Sequence, residues 1–416
     1  MTDYFTKAPE RTLRGKWFAR YSSGMALPAL RQLDASTIEH EGQQLICLHD
    51  MEGIVEDRLV LSPAAYFVAA NLDGRSDVAD IQYAFAKHTG SMLMSEDILK
   101  IVEYLDEHGF LATPRFQAIH DKALGAFRAA SVREPFLAGK SYPENPNELR
   151  AFLDDCLALA ERPESTAPPV RCLIAPHIDF GRGARVYGHA YQRLQSQPAP
   201  DLAFVFGVAH AGASAPYILT RKGFETPLGL MANAPEIVER IAEGCPWDPF
   251  EAELLHRTEH SIEFQVVMLA HVFGPGVRIV PVLCGAPDAR PEAAAFLDRC
   301  RAVAAENDRR AIVVAGADLA HVGRRFGDPF DIDEEIVEFV RQRDTEDLAR
   351  VLALDADGFM ESVWRDGNAR RVCGLGCIHA AMKTAGNLAV RAEMLAYDYA
   401  HDPAGGIVSF AAVAIT

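Results

Sequence analysis

Three apolar runs in this chain end in groups able to bind a metal ion or move a proton. VRCLIAP leads to His177, LAFVFGVA leads to His210, and AIVVAGA leads to Asp318 and His321. Imidazole titrates near neutral pH and is a common ligand of transition metals, so converging histidines point to metal binding or acid–base work. An oxygen-rich cluster would instead point to magnesium or calcium. A fourth candidate is the string HRTEHSIE, from His256 to Glu263. On helical spacing His256, Glu259, His260 and Glu263 share a face, and HRTEH matches the H-x-x-E-H pattern in which two histidines one turn apart hold zinc.

The elements that must position these groups alternate in type. VRCLIAP, LAFVFGVA, VRIVPVLCG and AIVVAGAD read as continuous apolar strands, the pattern of a sheet covered on both faces. Between them lie helical stretches such as GARVYGHAYQRLQS, APEIVERIAEG, EHSIEFQVVMLAHVF and PEAAAFLDRCRAVAAEN. The expected fold is therefore α/β, a central mixed sheet flanked by helices. In such sheets the crevice outside the carboxyl ends of the strands binds ligands, which is where His177, His210, Asp318 and His321 fall. AEMLAYDYAH and GIVSFAAVAIT supply two closing strands.

Residues 1–115 read differently. QQLICLHD and DRLVLSP suit a small β element, and three amphipathic stretches follow, the last two with Ser76 or Ser95 as candidate caps. This predicts a small α+β, winged-helix-like domain. Prolines and polar residues in TPRFQ and SYPENPNE place a connector at 116–134, ahead of a second domain at 135–416.

Composition narrows the functional classes. With 416 residues, 49% hydrophobic, the chain can bury a large core. A formal charge of -17, with no local basic patch, argues against nucleic-acid binding. No run approaches the ~20 apolar residues of a membrane span, and the opening MTDYFTKAPERTLRGKWFARYSS lacks a signal-peptide core, so the expected location is cytoplasmic. The eight cysteines show no C-x-x-C pair and read as buried free thiols, with CGLGC at 373–377 suiting the start of a helix better than a metal or redox pair.

Two resemblances follow from these segments. Residues from about Leu59 to Leu111 look like the PqqD-like peptide-recognition family, whose leucine-aspartate-glycine turn stands here as Leu72-Asp73-Gly74. The remainder resembles the Memo family, of the bacterial AmmeMemoRadiSam system B type, with a fold similar to the catalytic subunit of class III extradiol dioxygenases. The pieces are AGKSYPENPNELRAFLD, LIAPHIDF, FVFGVAH, ETPLG, EHSIEFQ, IVPVLCG, AGADLAHVG and CGLGCI, in family order from residue 135 to the end.

The Memo resemblance implies that His177 and His210 are metal ligands and that His260 stands where the related dioxygenases keep a base. It also implies a third ligand, a cysteine or glutamate, in the segment matching ADLAHVG, where this chain carries Ala320. Three outcomes stay open: His260 completes the shell with His177 and His210, Asp318 or His321 substitutes, or the site is degenerate and holds no metal. Catalytic roles fall to His260, Asp318 and His321. The cofactor expected is a transition metal, iron ahead of zinc or copper. The activity expected is a metal-dependent oxidoreductase acting on an aromatic or peptide-borne group, with a small-molecule or peptide substrate and a radical S-adenosylmethionine protein as partner. A non-catalytic scaffold and a zinc hydrolase using HRTEH are the alternatives, and they differ on whether His256 is needed for metal binding.

Overall fold

Alternating strands followed by capped helices build the first of two units in the computed structural model, which describes residues 24–40, 42–162, 167–286, 291–306, 310–386 and 389–416. The signal-peptide reading of residues 1–23, and Ser165 and Thr166 of the STAPP break expected before the second domain, lie outside the described residues. The first unit ends at Ala126 and the second runs from Phe127 to Thr416.

In the first unit β1 (Asp34–His40), β2 (Gln43–His49) and β3 (Leu59–Leu61) form an antiparallel sheet in that order. It is followed by α1 (Pro63–Ala70), α2 (Val78–Thr89) and α3 (Ser95–Glu107). Leu48, Val68, Ile81, Ile98 and Val102 meet in one apolar core. The helix starts differ by one residue from the expected caps. Asp77, not Ser76, caps α2 through a reciprocal pair with Asp80, and Ser95 is already inside α3. The stretch expected to be a connector is largely helical, as α4 (Pro114–Ala129), which runs across the boundary between the units.

The second unit opens with β4 (Val132–Arg133) and α5 (Pro146–Leu157), then β5 (Cys172–Ala175), α6 (Phe180–Gln192) and β6 (Leu202–Val208). β7 (Tyr217–Leu219), β8 (Gly223–Thr226), β9 (Gly229–Met231) and α7 (Pro235–Ala242) follow. A 3₁₀ turn at Glu253–Arg257 precedes α8 (His260–Phe273), β10 (Arg278–Cys284) and α9 (Pro291–Glu306). The chain continues with β11 (Ala311–Gly316), β12 (Asp318–Gly323), α10 (Glu334–Leu352), α11 (Ala356–Trp364) and α12 (Leu375–Ala385), and closes with β13 (Ala392–Asp402) and β14 (Gly406–Ile415).

Among the described residues the main sheet is eight-stranded, in the order β12-β14-β5-β11-β6-β10-β7 with β13 paired to β14. Its centre, β5-β11-β6-β10, is parallel, and β14, β12, β13 and β7 are antiparallel additions. The sheet is therefore mixed, as the sequence predicts. Neighbouring residues of each central strand alternate between two cores. Cys172, Ile174, Phe204 and Phe206 pack with α7, α9, α11 and α12, while Leu173, Ala175, Ala203 and Val205 pack with α5, α6 and α8. Coverage of both faces explains why these strands are apolar throughout rather than alternating. A second sheet, β4-β8-β9, stands beside it.

Because β5, β11 and β6 are parallel neighbours, their carboxyl ends open on one edge of the sheet. The amino end of α8 reaches the same edge, its Ser261 bonding both the N–H and the carbonyl of Val208. Gly316, at the end of β11, is required by this approach. A Cβ there would stand 2.2 Å from the Ser261 carbonyl oxygen, closer than any real side chain tolerates.

Candidate metal centre

His177 follows β5, His210 follows β6 and His260 opens α8, and their rings converge. One ligand atom of each lies within 4.8 Å of the others. The His210 and His260 rings stack at 4.6 Å between centroids, and His177 stands edge-on to both at 5.0 and 5.2 Å. His177 is buried and the other two are partly open to solvent.

Two of the rings, His177 and His210, are hydrogen-bonded through Nδ1. His177 Nδ1 bonds the Gly316 carbonyl at 2.8 Å, and a carbonyl only accepts, so this nitrogen carries the proton. His210 Nδ1 lies 2.9 Å from Glu259 Oε1, and His260 Nδ1 lies 3.2 Å from the same oxygen. With Nδ1 so engaged, Nε2 is the atom that His177 and His210 have left to offer. A carbonyl or carboxylate behind the imidazole is the arrangement that fixes tautomer and ring direction at metal sites.

Glu259 is the residue that organises this edge. It is the N-cap of α8 and accepts from the Ser261 N–H at 3.0 Å, while its second oxygen accepts from the His210 N–H at 3.2 Å. Burial alone would raise its pKa, but His210 and His260 beside it hold the carboxyl well below the usual range. Burial pulls the His210 imidazole down, and the Glu259 carboxylate together with the Cys373 hydrogen bond outweighs it and lifts the ring to about 9. Burial, offset only in part by Glu259, drops His260 to about 3. In the metal-free protein near neutral pH one proton therefore sits on His210, and His260 presents a neutral ring.

The third strand end brings Asp318 and His321 to the same place. Two residues three apart on a regular strand point to opposite faces, but the register of β12 against β14 slips between Asp318 and His321. Such a bulge inserts an extra residue and lets both face one side. Asp318 accepts the His177 N–H at 2.9 Å, and its other oxygen lies 3.7 Å from His177 Nε2. Burial drops His321 to about 4, and its Nδ1 bonds the Leu319 carbonyl at 3.1 Å.

Ala320 points elsewhere. It packs in a small apolar cluster with Val322, Val340 and Ile407, and its N–H bonds Ser409 Oγ at 3.0 Å. The expectation that a ligand position had been lost at Ala320 is thus corrected. The side chain there belongs to that apolar cluster rather than to the histidines.

A cysteine nevertheless reaches the cluster, from a different segment. Cys373 Sγ lies 3.2 Å from His177 Nε2 and 3.7 Å from the Asp318 carbonyl, and it also bonds His210. Burial raises its thiol above the ordinary range. Reading CGLGC as a helix start was right about the backbone, since α12 begins at Leu375, and it missed what Cys373 touches. The signal lay in the next residue. A Cβ at Gly374 would stand 2.4 Å from the Asp318 carbonyl oxygen, so glycine is what lets this segment close on β12.

The HRTEH string does not form one helical face. The 3₁₀ turn ends at Arg257 and α8 begins at His260, with Glu259 as an extended cap between them. His256 is fully buried, its Nε2 bonds the Ile218 carbonyl at 3.2 Å, and burial drops it to about 3. Glu263 turns to Arg133 and Tyr142. A zinc site built on His256 and His260 one turn apart is therefore excluded by the break at Thr258–Glu259.

Residues 133–414 match the family described as Memo-like protein. A MEMO1 family protein of Aquifex aeolicus is 28% identical over 361 residues, covering 86% of this chain and 92% of the relative. Since the second unit starts only at Phe127, that similarity extends into the first unit. MEMO1 family proteins of Methanosarcina acetivorans and Methanopyrus kandleri are 29% and 30% identical, each across 68% of this chain and nearly all of the relative.

Proposed function

The chain belongs to the Memo-like protein family, and from that premise we propose that it is a metal-dependent oxidoreductase. Its transition metal is held by His177 and His210, with His260 or Cys373 as third donor. The observation that carries this reading is the set of three imidazoles with one ligand nitrogen of each within 4.8 Å of the others, two of them held from behind through Nδ1. A cluster kept for packing alone has no need of three titratable rings aimed at one another. The donor set fits the group. Imidazole nitrogens with a thiol at hand suit iron, copper or zinc rather than magnesium or calcium, and iron remains the preferred ion.

A bound transition metal would supply Lewis-acid and redox chemistry at positions the protein leaves open. The chain's own residues do the rest. Glu259 keeps His210 and His260 aimed, and Asp318 anchors the backbone of His177. His321, which is bonded to neither Glu259 nor Gly316, is the group that exchanges a proton with a bound substrate. The substrate is an aromatic or peptide-borne group, the protein acts in the cytoplasm beside a radical S-adenosylmethionine partner, and the first unit serves peptide recognition. Among the described residues no helix is long and apolar enough to cross a membrane.

Metal analysis of protein purified without added metal tests the proposal. Wild type is expected to carry close to a full equivalent of a transition metal, and His177→Ala and His210→Ala to carry almost none. Comparing His260→Ala with Cys373→Ala then identifies the third donor as the one whose loss releases metal. Substoichiometric metal in wild type, unchanged in the two histidine variants, would overturn the reading.

A further inference from the structure

Arg133 lies far from the histidines in sequence and is almost fully buried, yet its guanidinium holds the backbone that carries them. Nε donates to the His256 carbonyl at 3.0 Å, Nη2 to the Glu259 carbonyl at 3.2 Å, and Nη1 to the Glu134 carbonyl at 3.0 Å. Nη2 also lies 2.5 Å from Glu263 Oε2, an ionic contact without hydrogen-bond alignment. The face of Phe224 lies 4.9 Å from the guanidinium carbon. Glu263 is fixed in turn, accepting the Leu137 N–H at 2.9 Å and the Tyr142 hydroxyl at 2.5 Å.

The two carbonyls on α8's side bracket the link between the 3₁₀ turn and α8. The chain is extended at Glu259, whose carboxylate bonds His210 and lies 3.2 Å from His260. Residue 259 is the hinge of the cluster, and Arg133 grips the peptide on either side of it. Glu263, one turn into α8, locks the grip from the helix itself.

We propose that Arg133 is a positioning residue for the histidine cluster: locked by Glu263, it fixes the His256 and Glu259 carbonyls and thereby the direction of the Glu259 carboxylate and the His260 ring. The role depends on the planar fork, because three carbonyls and a carboxylate are met at once by one rigid group. Lysine would keep the charge beside Glu263 and lose the fork. Only the cobalt arm of the following test rests on the metal reading.

The test uses the full chain, with Co(II) as probe, and compares wild type with Arg133→Lys and Arg133→Met. Co(II) affinity and visible spectrum, the ¹⁵N shifts of the His210 and His260 rings in metal-free protein, and melting temperature are measured together. The expected result is a folded Arg133→Lys protein whose Co(II) affinity falls roughly 10–100-fold, the range for groups that orient ligands. Its cobalt bands and both imidazole shifts should change as well. A variant that melts lower while keeping the wild-type cobalt spectrum, affinity and imidazole shifts would make Arg133 a stability residue only and overturn the proposal. If wild type takes up no cobalt, the metal reading fails and the imidazole shifts alone decide: altered shifts uphold the positioning role, identical shifts end it. Should both Arg133 variants fail to fold, Tyr142→Phe, which frees Glu263 by one bond, must shift the same signals more weakly, and no shift there overturns the proposal.

Discussion

Of the clusters of ionisable groups buried in the second unit, those around Arg370 and His177 dispose of their charge in opposite ways. Around Arg370 the carboxylates pair off, while the guanidinium Nε, 4.0 Å from Asp366, has no hydrogen-bond partner among the described residues. The same guanidinium meets Asp344 at 2.6 Å and Asp347 at 2.5 Å, and the remaining carboxylate oxygens accept from Tyr397, Ser409 and Ser362. Around His177 the cluster stays open. The three rings converge to within 4.8 Å by one ligand nitrogen each, and the Cys373 thiol, Asp318 and His321 stand beside them. Opposite charges that pair off specify packing, whereas like donors gathered at one point leave a valency for something else to fill. The two clusters also touch in function, since the Arg370 carbonyl accepts the His321 N–H at 2.7 Å and Ser409 accepts the N–H of Ala320. The Arg370 cluster thus holds the strand that presents Asp318 and His321 to the open one.

The sharpest way to break this contrast is to remove the Arg370 guanidinium. Arg370→Met leaves Asp344 and Asp347 buried without a counter-charge, and breaking such a pair costs about 3–5 kcal/mol. Chemical denaturation should show a loss of that size. A loss within ~0.5 kcal/mol, the range of ordinary surface substitutions, would mean the charges are not paired in the way described.

The pH response sharpens the same point. Burial raises Asp344 to about 6, against the hydrogen bonds from Ser409 and Tyr397 and the charge of Arg370. A carboxyl whose folded value lies above its ordinary 3.8 binds its proton more tightly in the native state. Its contribution is therefore fully present below about pH 4 and is lost as pH rises through about 6. The stability of wild type measured against Asp344→Asn should fall across that window by up to about 3 kcal/mol. A flat difference would show that Asp344 is ionised throughout.

What the sequence makes legible divides along the same line. His177 and His210 can be read because each follows an apolar strand directly, and parallel neighbours must end on one edge. The mixed sheet and its two covered faces follow from the same runs. Cys373 cannot be read that way, because nothing local ties it to a strand end 196 residues earlier. It reaches His177 through the packing of α12 on β12, a long-range fact hinted at only by Gly374. Ala320 and His321 show the other limit. One bulge in β12 decides which of them faces the site, and a period-two pattern cannot register an inserted residue. HRTEH misleads for a related reason: its spacing is helical, but the chain is extended at Glu259.

A smaller change probes the open cluster without removing a donor. Glu259→Gln keeps an oxygen to cap α8 and removes the charge shared by His210 and His260. Metal affinity should fall roughly 10–100-fold, as for other groups that orient ligands. In the metal-free protein the His210 ring, no longer lifted by a carboxylate against the pull of burial, should release its proton well below the present value of about 9. Retention of the high value, followed by imidazole ¹⁵N shifts across pH, would show that Glu259 is not what charges the ring.

The least effect is expected at the histidine that looks best placed in the sequence. His256 stands four residues from His260 in a zinc-binding pattern, yet it lies outside the open cluster. Its Nε2 is spent on the Ile218 carbonyl, its Nδ1 has no hydrogen-bond partner, and its ring lies against Phe224 rather than against another imidazole. His256→Ala should therefore leave metal content and affinity unchanged while costing about 1–3 kcal/mol, from the lost hydrogen bond and the space left behind. Metal analysis and denaturation on one preparation separate these outcomes. Loss of metal with stability retained would place His256 in the open cluster and dissolve the distinction, because a ring can serve both packing and coordination only if its free nitrogen faces the other donors.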